Sequence, residues 1–403
     1  MHIPNLILGA GPSGMTAALM AARRGVQVTL VDANPGVGRK LLVTGSGRAN
    51  LTNRELDLTR YVSGDPGWLN RLFSQFGHDD LIAFLRSIGI LTFSTDDGWT
   101  YPVSESAQAA VDAFEAALTL AGVNLLLNTR ISAIRKTKGR FELLRVEGET
   151  ITCETLLAAA GGKAYPTLGS RGDLFASLQS LGHTVRPLVP ALAPVTCEMA
   201  PYQKLQGVRL DARVTLLQGG NPLAQTTGNL IFTQWGLNGP AVMDLSHAVA
   251  RRPGEPMDLR LDLLFAAEAD LREMLQAHRN DPYPLRVLLE AILPPKVPPV
   301  ILKQCGLPED ARLSDLSDQR IEKVFALLKG LPVRVSGVRG FEYCQVTSGG
   351  VPLSEVDPLT MQSRVVPNLF LAGETLDVTG PCGGYNLQFA FSTGAVAGTS
   401  FGS

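Results

Sequence analysis

Residues 5–14 read NLILGAGPSG, and this stretch decides the fold of the first part of the chain. The run Asn5–Leu8 is short and apolar, as in a strand, and residues 15–24 are rich in Ala, Leu and Met, as in a helix. Between them, Gly9, Gly11 and Gly14 form the pattern G-x-G-x-x-G. A strand-to-helix setting makes this pattern a specific indication of a dinucleotide-binding turn.

Each position of this loop has its own physical reason. Gly9 allows the tight turn, Gly11 lets the backbone approach a pyrophosphate, and Gly14 lets the helix pack closely on the strand. Free N–H groups at the start of the helix can hold phosphate oxygens. We therefore predict that the loop binds the cofactor through Gly9, Ala10, Gly11, Pro12, Ser13 and Gly14. The alternative, a glycine-rich turn without a ligand, stays open at this point.

A second predicted strand, QVTLVD at residues 27–32, ends in an acid 18 residues after Gly14. Asp32 can accept hydrogen bonds from the ribose hydroxyls of an adenosine. No Arg directly follows it to favour a 2′-phosphate. We predict that Asp32, Ala33 and Asn34 lie at the adenosine end of the cofactor.

The composition is that of a globular protein with two or three domains. The 403 residues are 45% hydrophobic and 18% charged, and the net charge is −1. This balance excludes an overall electrostatic footprint for nucleic acid or an anionic membrane. Residues 3–22 carry no charge, but the glycines between 9 and 14 argue against a membrane span or signal peptide.

The five cysteines are Cys153, Cys197, Cys305, Cys344 and Cys382. They are far apart and form no C-x-x-C pair, so the sequence indicates neither a disulfide framework nor a zinc site. A reducing cytoplasm fits this pattern best. We predict a cytoplasmic protein without a metal and without a membrane partner.

A second glycine-rich motif near the C-terminus selects FAD over NAD. The run 368–371 with Gly373 and Glu374 predicts a strand leading into an acidic turn, and Gly384 precedes a predicted last helix. FAD is long enough to need both ends of the chain. We expect Glu374 near the ribityl chain and the amides of residues 386–388 at the flavin pyrimidine ring. The predicted contacts here are Gly373, Glu374, Gly384, Asn386, Leu387 and Gln388.

Five separated motifs resemble those of the BaiN/YhiN-type bacterial flavoproteins, within the wider group that has a glutathione-reductase-like FAD fold. They are GRKLLVTGSGRANLTN (38–53), AAAGGKAYPTLGSRGD (158–173), FTQWGLNGPA (232–241), VTSGGV (346–351) and LAGETLDVTGPCGGYNLQ (371–388). The resemblance runs nearly end to end.

The resemblance implies an α/β protein with a Rossmann-like FAD-binding domain, built in three layers around a parallel sheet. An inserted β-rich, barrel-like domain and a nested helical subdomain complete it. We place the discontinuous FAD-binding domain at 1–190 and 348–403, the β-rich domain at 191–262 and 331–347, and the helical subdomain at 263–330. The sequence agrees independently, because residues 206–246 are rich in Val, Thr and Gly, whereas apolar residues recur at helical spacing from about residue 264.

The resemblance also adds cofactor contacts. It implies that the glycine-rich loop at 36–53 passes the pyrophosphate and the flavin, that backbone near Ile131 meets the adenine, and that Ala160, Gly161 and Gly162 pass close to the pyrophosphate. From the loop we predict contacts by Arg39, Lys40, Gly45, Ser46, Gly47, Arg48, Ala49 and Asn50. Solvated surface charge is the alternative for the three basic residues.

Two residues depart from the family pattern. Ala49 stands where relatives usually have Cys, which excludes thiol chemistry at this position, and Asp32 stands where Glu is commoner. Cys382 is the one cysteine in a plausible redox position, although a buried structural thiol is the simpler interpretation. For Trp235, Tyr343 and Tyr385, core packing is the default and a place in a substrate pocket the alternative.

The sequence predicts an FAD-dependent oxidoreductase whose catalytic residues and substrate are unknown. The families that the chain resembles include proteins that act on amines, on unsaturated steroid-type compounds and on uridine in ribosomal RNA. No second G-x-G-x-x-G is present, so NAD(P)H is expected only as a transient reductant. The alternatives are a flavin-dependent RNA-modifying enzyme and a non-catalytic FAD-binding or RNA-associated module. The partner is thus a small-molecule substrate or RNA.

Overall fold

A computed structural model describes residues 1–402, which divide into two compact units. The first unit holds residues 1–189 and 345–402, and the second is Pro190–Cys344. The chain therefore leaves the first unit once and returns to it.

The strands are β1 (Asn5–Leu8), β2 (Thr29–Val31), β3 (Thr52–Asn53), β4 (Thr92–Ser94), β5 (Trp99–Pro102), β6 (Asn124–Leu126), β7 (Ile131–Thr137), β8 (Arg140–Arg145), β9 (Ile151–Cys153), β10 (Thr155–Ala158), β11 (Arg186–Ala191), β12 (Val195–Cys197), β13 (Arg209–Gln218), β14 (Asn221–Phe232), β15 (Gly236–Asn238), β16 (Met257–Asp262), β17 (Leu331–Val338), β18 (Val346–Gly350) and β19 (Leu369–Leu371).

The α-helices are α1 (Pro12–Arg23), α2 (Pro66–Phe73), α3 (His78–Ser87), α4 (Ala107–Leu120), α5 (Asp173–Ser180), α6 (Pro240–Met243), α7 (Ser246–Ala250), α8 (Glu268–Ala277), α9 (Leu285–Glu290), α10 (Val297–Cys305), α11 (Asp318–Leu328) and α12 (Tyr385–Ser400).

A parallel sheet in the order β19-β10-β1-β2-β6 organises the first unit. Its central strand β1 pairs Leu6 with Leu156 and with Thr29. Leu6 and Ile7 are completely buried, as expected for a parallel sheet that is covered on both faces. Helices α1 and α12 contact β1, β2 and β19, and the antiparallel sheet β7-β8-β9 contacts β10. A small antiparallel sheet, β3-β5-β4, also belongs to the first unit.

The two helices that pack on this sheet come from opposite ends of the chain. A Cβ on Gly394 of α12 would lie 2.2 Å from the backbone oxygen of Ser13, and one on Gly398 would lie 2.4 Å from that of Ala17. The glycines therefore allow α1 and α12 to approach to backbone contact. Because Ser13 meets Gly394 and Ala17 meets Gly398, the two helices run in the same direction.

The second unit is a closed barrel with helices. The barrel strands follow the order β12-β15-β14-β13-β16-β17, with antiparallel pairing throughout. Strand β16 alternates buried and exposed residues, with Met257, Leu259 and Leu261 pointing into the core. Helices α6–α11 belong to the same unit, and apolar residues of α8–α11 join the barrel core.

The predicted fold class is confirmed, since the structure has the Rossmann-like parallel sheet, an antiparallel barrel and a helical segment. Among the residues described, no helix combines the length and apolar character that a membrane crossing requires.

Candidate functional site

The loop between β1 and α1 is tight everywhere except at its middle glycine. A Cβ on Gly9 would lie 2.3 Å from the oxygen of Ala159, and one on Gly14 would lie 1.8 Å from the oxygen of Gly9. At Gly11 an added Cβ would meet no atom within 4 Å. Protein packing thus requires glycine at positions 9 and 14. At Gly11 no protein atom occupies the space beside the backbone, which leaves room for a ligand.

Helix α1 begins at this loop without a side-chain cap. Pro12 at the first position has no N–H, and the first N–H to bond within the helix is that of Met15, 2.9 Å from the oxygen of Gly11. The N–H groups of Ser13 and Gly14 are therefore available at the helix start, where an anion is stabilised.

Asp32 fixes the loop from the end of β2. Its Oδ2 accepts a hydrogen bond from the Ala10 N–H at 2.7 Å, and its Oδ1 accepts from the backbone and side-chain nitrogens of Asn34 at 2.8 and 2.9 Å. Ala33 is exposed. A carboxylate keeps further lone-pair capacity after three such bonds. Asp32 thus has a role in positioning the loop that the sequence did not indicate.

Asn34 links this corner to the loop that follows β10. Its Nδ2 also donates to the oxygen of Leu168 at 3.1 Å. The start of that loop, Ala160, Gly161 and Gly162, lies beside Gly9, because an added Cβ on Gly9 would also touch Ala160. The segment before Ile131 contacts the same corner, because the Thr129 N–H donates to the backbone oxygen of Asp32 at 2.8 Å.

A salt bridge connects the loop after β2 with the turn after β19. Lys40 Nζ lies 2.5 Å from Glu374 Oε2, and both side chains are about one-fifth exposed. Glu374 Oε1 accepts from the Thr347 N–H at 2.7 Å, and the Thr347 hydroxyl accepts from the Lys163 N–H at 2.7 Å. An added Cβ on Gly162 would lie 2.6 Å from Glu374. Lys40, Glu374 and Gly162 therefore meet, although they are far apart in sequence.

The next turn of this loop has an unusual backbone. Gly45, Ser46, Gly47 and Ala49 all have φ between 56° and 85°. Ala49 is completely buried, so a small side chain is required there. Arg48 is exposed and lies 4.5 Å over the ring of Tyr101, with Glu105 at 3.8 Å, while Arg39 is exposed.

Asn50 and Asn53 hold the loop that precedes α12. Asn50, with its amide oriented to satisfy both neighbours, donates to the Thr52 oxygen at 3.1 Å and accepts from the Gly384 N–H at 3.3 Å. Asn53 donates to the Gly383 oxygen at 3.0 Å. An added Cβ on Gly384 would lie 2.3 Å from the backbone of Thr52. The side chain of Asn50 is thus engaged within the protein.

Helix α12 also begins without a side-chain cap. The first N–H to bond in its opening turn is that of Gln388, 2.9 Å from the oxygen of Gly384. The N–H groups of residues 385–387 precede it and have no intrahelical acceptor. The Asn386 side chain closes the preceding loop by accepting from the Gly380 N–H at 2.9 Å, and Gly373 packs against Ser13. Leu387 is partly buried.

The side chain of Gln388 is completely buried and bonded within the protein. It accepts from the hydroxyl of Thr52 and donates to the Gly77 oxygen at 3.1 Å and to Ser392 at 3.0 Å. The backbone N–H of Gln388 is also bonded, to the Gly384 oxygen, so the backbone donors left at this helix start are those of residues 385–387.

The helix register gives the separation of the two uncapped helix starts. Ser13, in the first turn of α1, lies against Gly394, and residues 385–393 of α12 extend beyond that contact. Nine residues at the α-helical rise correspond to about 14 Å. The first unit therefore presents two anion-stabilising helix starts in the same direction, about 14 Å apart along the axis.

The sequence did not indicate the roles of some residues near these loops. Thr347 and Gly394 carry contacts described above, and V-T-S-G-G and G-x-x-x-G were their visible signals. The buried His183 lies between Glu355 Oε2 at 2.7 Å and Ser363 Oγ at 2.9 Å. Ser363 also accepts from two backbone N–H groups and is buried, so this chain of bonds is structural.

Two other candidates from the sequence, Tyr385 and Cys382, lie in the loop and helix start at 382–385. Tyr385 is completely buried and its hydroxyl donates to the Glu55 oxygen at 3.0 Å, so it belongs to the core. Cys382 is partly buried. In residues 1–402 no group of three or more His, Cys, Asp or Glu side chains is arranged to hold a metal ion.

Comparison with known proteins gives a match over nearly the whole chain. The family described as "HI0933-like protein Rossmann domain" matches residues 4–400. The 3-dehydro-bile acid delta(4,6)-reductase of Clostridium scindens is 35% identical over 399 residues, covering 97% of each chain. The ribosomal RNA dihydrouridine synthase of Escherichia coli is 32% identical over 391 residues, covering 96% of this chain and 95% of its own.

A solved structure agrees at the level of the fold. The 3-ketosteroid delta1-dehydrogenase of Sterolibacterium denitrificans superposes with a TM-score of 0.52 at 12% identity, covering 99% of both chains. This likeness establishes the fold. The prediction of an FAD-dependent oxidoreductase is supported by the family and by the reductase relative.

Proposed function

The chain belongs to the HI0933-like family, as predicted, and from this membership we propose that it is an FAD-dependent oxidoreductase that reduces a carbon–carbon double bond conjugated to a carbonyl group. The observation that carries the cofactor assignment is the pair of uncapped, co-directional helix starts about 14 Å apart. One helix start fits the pyrophosphate of FAD, and the other fits the polar edge of its flavin.

We place the pyrophosphate at the open side of Gly11, facing the Ser13 and Gly14 N–H groups. Asp32 and Asn34 then lie toward the adenosine, with Asp32 keeping the Ala10 N–H in place. The Lys40–Glu374 salt bridge lies between the loops that would flank the ribityl chain. The loop contacts support these positions, because the loops of Gly9 and Gly373 pack against Gly14 and Ser13 of α1, and Gly162 contacts Glu374.

The flavin end is placed at the start of α12. When bound, FAD supplies the electron pair for the reduction. The N–H groups of Tyr385, Asn386 and Leu387 favour negative charge at this helix start. Asn50 and Asn53 keep the loop before the helix in place. The chain thereby stabilises a reduced, anionic cofactor more than an oxidised, neutral one.

The substrate class follows from what two relatives have in common. One is named as a reductase of the 4,6 double bonds of a 3-dehydro-bile acid, and the other forms dihydrouridine in ribosomal RNA. A 3-oxo group conjugates the steroid double bonds, and the C4 carbonyl of uracil conjugates the 5,6 double bond. Both names describe the addition of two hydrogens to an alkene polarised by a carbonyl. We propose the same reaction class for this chain.

Reduction and reoxidation of the purified protein test this function. The protein is reduced without oxygen by NADH or NADPH, and flavin absorbance is followed after adding a steroid 4-en-3-one or an unmodified ribosomal RNA fragment. We expect one acceptor to reoxidise the flavin and to gain two hydrogens by mass spectrometry. Saturated analogues of each acceptor serve as controls.

The outcomes separate the candidates. If the steroid gains two hydrogens, the protein is a small-molecule reductase. If the RNA gains two hydrogens, the protein is an RNA-modifying enzyme. An FAD-loaded protein that reduces neither class would overturn the proposed reaction and favour a non-catalytic flavin-binding module. We also infer a cytoplasmic location, which the five cysteines support because none of them forms a disulfide.

A further inference from the structure

In the second unit, the guanidinium of Arg339 lies over two aromatic rings. Its guanidinium carbon lies 4.9 Å from the ring centre of Trp235 and 3.3 Å from that of Tyr343. We call these three residues the arginine clamp. Contact with the rings covers part of the guanidinium, while its N–H groups lie at the edges of the plane.

The backbone around the arginine clamp is well fixed. Trp235 lies in the turn between β14 and β15, where the Thr233 N–H donates to the Gly236 oxygen at 2.9 Å. Arg339 directly follows β17, and its own N–H donates to the Pro194 oxygen at 2.9 Å. A binding group fixed in this way loses little conformational entropy when a ligand binds.

The charge of Arg339 is not neutralised within the described chain. Within residues 1–402 no carboxylate lies within 4.0 Å of its guanidinium, and no side-chain N–H of Arg339 donates to a protein acceptor. Arg334, five residues earlier, instead lies 3.6 Å from Glu198. Tyr343 is 49% exposed, so a ligand can reach the clamp from solvent.

We propose that the arginine clamp binds the anionic oxygen group, a carboxylate or a phosphate, of a ligand that also carries a ring system. A guanidinium fixed on its faces presents its N–H edge to a planar or tetrahedral oxyanion, with which it forms paired, charge-assisted hydrogen bonds. The exposed side of Tyr343 offers an aromatic surface to the ring of the same ligand. Bile-type acids and nucleotides share this combination of an oxyanion and a ring system.

Equilibrium binding to the full-length protein tests the arginine clamp without any turnover. Calorimetric titrations use cholate, uridine 5′-monophosphate and inorganic phosphate as probes. We expect cholate or the nucleotide to bind more tightly than inorganic phosphate, because phosphate lacks the ring. Binding of cholate alone assigns a carboxylate ligand, and binding of the nucleotide alone assigns a phosphate ligand.

Three variants make the test specific. Arg339→Gln should weaken the bound probe by on the order of tenfold to a hundredfold, the range for a hydrogen bond to a charged group. Arg339→Lys keeps the charge without the planar edge, and its affinity for the probe should lie between those of the unchanged protein and Arg339→Gln. Arg334→Gln is the control, because Arg334 lies on β17 itself, five residues before Arg339, and its dissociation constant for the probe should stay within about twofold of that of the unchanged protein. Circular dichroism and flavin content verify that each variant is folded.

The inference stands or falls separately from the proposed reaction, since binding is measured without an electron donor. It is overturned if neither organic probe binds, or if a folded Arg339→Gln variant binds as tightly as the unchanged protein. Equal affinity for inorganic phosphate and the organic probes would also overturn it, because the ring would then contribute nothing.

Discussion

Gly394 lies against the backbone of Ser13 so closely that a Cβ on Gly394 would be 2.2 Å from the Ser13 oxygen. This contact joins the first and the last helix of the first unit and sets their register. Since both helix starts face the proposed cofactor, the register also sets the distance between the two ends of the FAD site.

Replacement of this glycine tests the contact. Alanine favours a helix by up to about 1 kcal/mol over glycine, yet here its methyl group would overlap a backbone atom. We expect Gly394→Ala to lower the free energy of unfolding by about 1–3 kcal/mol, as overpacking does, and to weaken FAD binding. Denaturant titrations and flavin content measure both effects. Thr399→Ala, at an exposed position of the same helix, is the control, and a more stable Gly394→Ala variant would refute the assigned contact.

Two glycines of one loop should behave differently. Gly11 has open space around an added Cβ, whereas an added Cβ at Gly14 would lie 1.8 Å from the oxygen of Gly9. We expect Gly11→Val to fold but to purify without colour, because its side chain occupies the place proposed for the pyrophosphate. Gly14→Ala should instead unfold more easily. A folded Gly11→Val protein with full FAD content would show that the pyrophosphate lies elsewhere.

Helix α12 should influence the flavin potential more than cofactor retention. Leu387 is in the first turn, where its N–H has no intrahelical acceptor, so proline there removes a donor without breaking a helix bond. We expect Leu387→Pro to lower the midpoint potential by tens of millivolts, since about 1.4 kcal/mol corresponds to roughly 30 mV for two electrons. Leu387→Ala controls for the lost side chain. An unchanged potential in the folded, FAD-loaded proline variant would exclude the proposed flavin position.

The Lys40–Glu374 salt bridge should couple two loops energetically. Both side chains are mostly buried and lie 2.5 Å apart, so removal of either partner leaves the other charge without its counterion. In a double-mutant cycle with Lys40→Gln and Glu374→Gln, we expect a coupling free energy on the order of 1 kcal/mol, measured by denaturant unfolding. Strict additivity of the two single effects would mean that the salt bridge contributes nothing to stability.

His247 gives the second unit a pH dependence. Burial and then the nearby Arg251 charge lower its pKa to about 4 from 6.5, while a bond with Asp244 opposes the shift. Between pH 6.5 and about pH 4, His247 is protonated in the unfolded chain but stays neutral in the folded chain. The His247 contribution to stability is therefore complete above about pH 6.5 and is lost as the pH falls toward 4.

This sign can be checked with one variant. Between pH 7 and pH 5 the unchanged protein should lose about 2 kcal/mol more unfolding free energy than His247→Gln. Nuclear magnetic resonance titration should give the low pKa directly, and Arg251→Gln should raise that pKa only in part, because burial is the larger cause. A pKa of His247 near 6.5 in the folded protein would contradict the assignment.

The sequence was most informative where neighbours in the chain are neighbours in space. The loop from Gly9 to Gly14 joins consecutive elements, and its glycines are explained by local geometry alone. The pattern G-x-x-x-G at Gly394 and Gly398 was visible but has no meaning until a partner helix is known. Its partner, α1, lies at the other end of the chain.

Polar side chains were harder to predict, because their partners are distant in sequence. Gln388 was predicted to face the flavin with its backbone amide, and the partner of its side chain, the Gly77 oxygen, is 311 residues away. Asn50 and Asp32 bond to backbone groups that only the folded loops bring near. Motifs of this kind therefore identify where a cofactor belongs, while the division between cofactor contacts and loop supports depends on long-range packing.

The contact between α1 and α12 has a consequence for synthesis of the protein on the ribosome. The parallel sheet lacks its edge strand until residue 371 has been made, and α1 lacks its packing partner until the last helix has left the exit tunnel. Residues 190–344 form one uninterrupted stretch, so the barrel unit can fold while the first unit is still incomplete. During that interval the apolar face of the early βαβ segment needs protection from aggregation, and newly made chains can bind FAD stably only after α12 has been made.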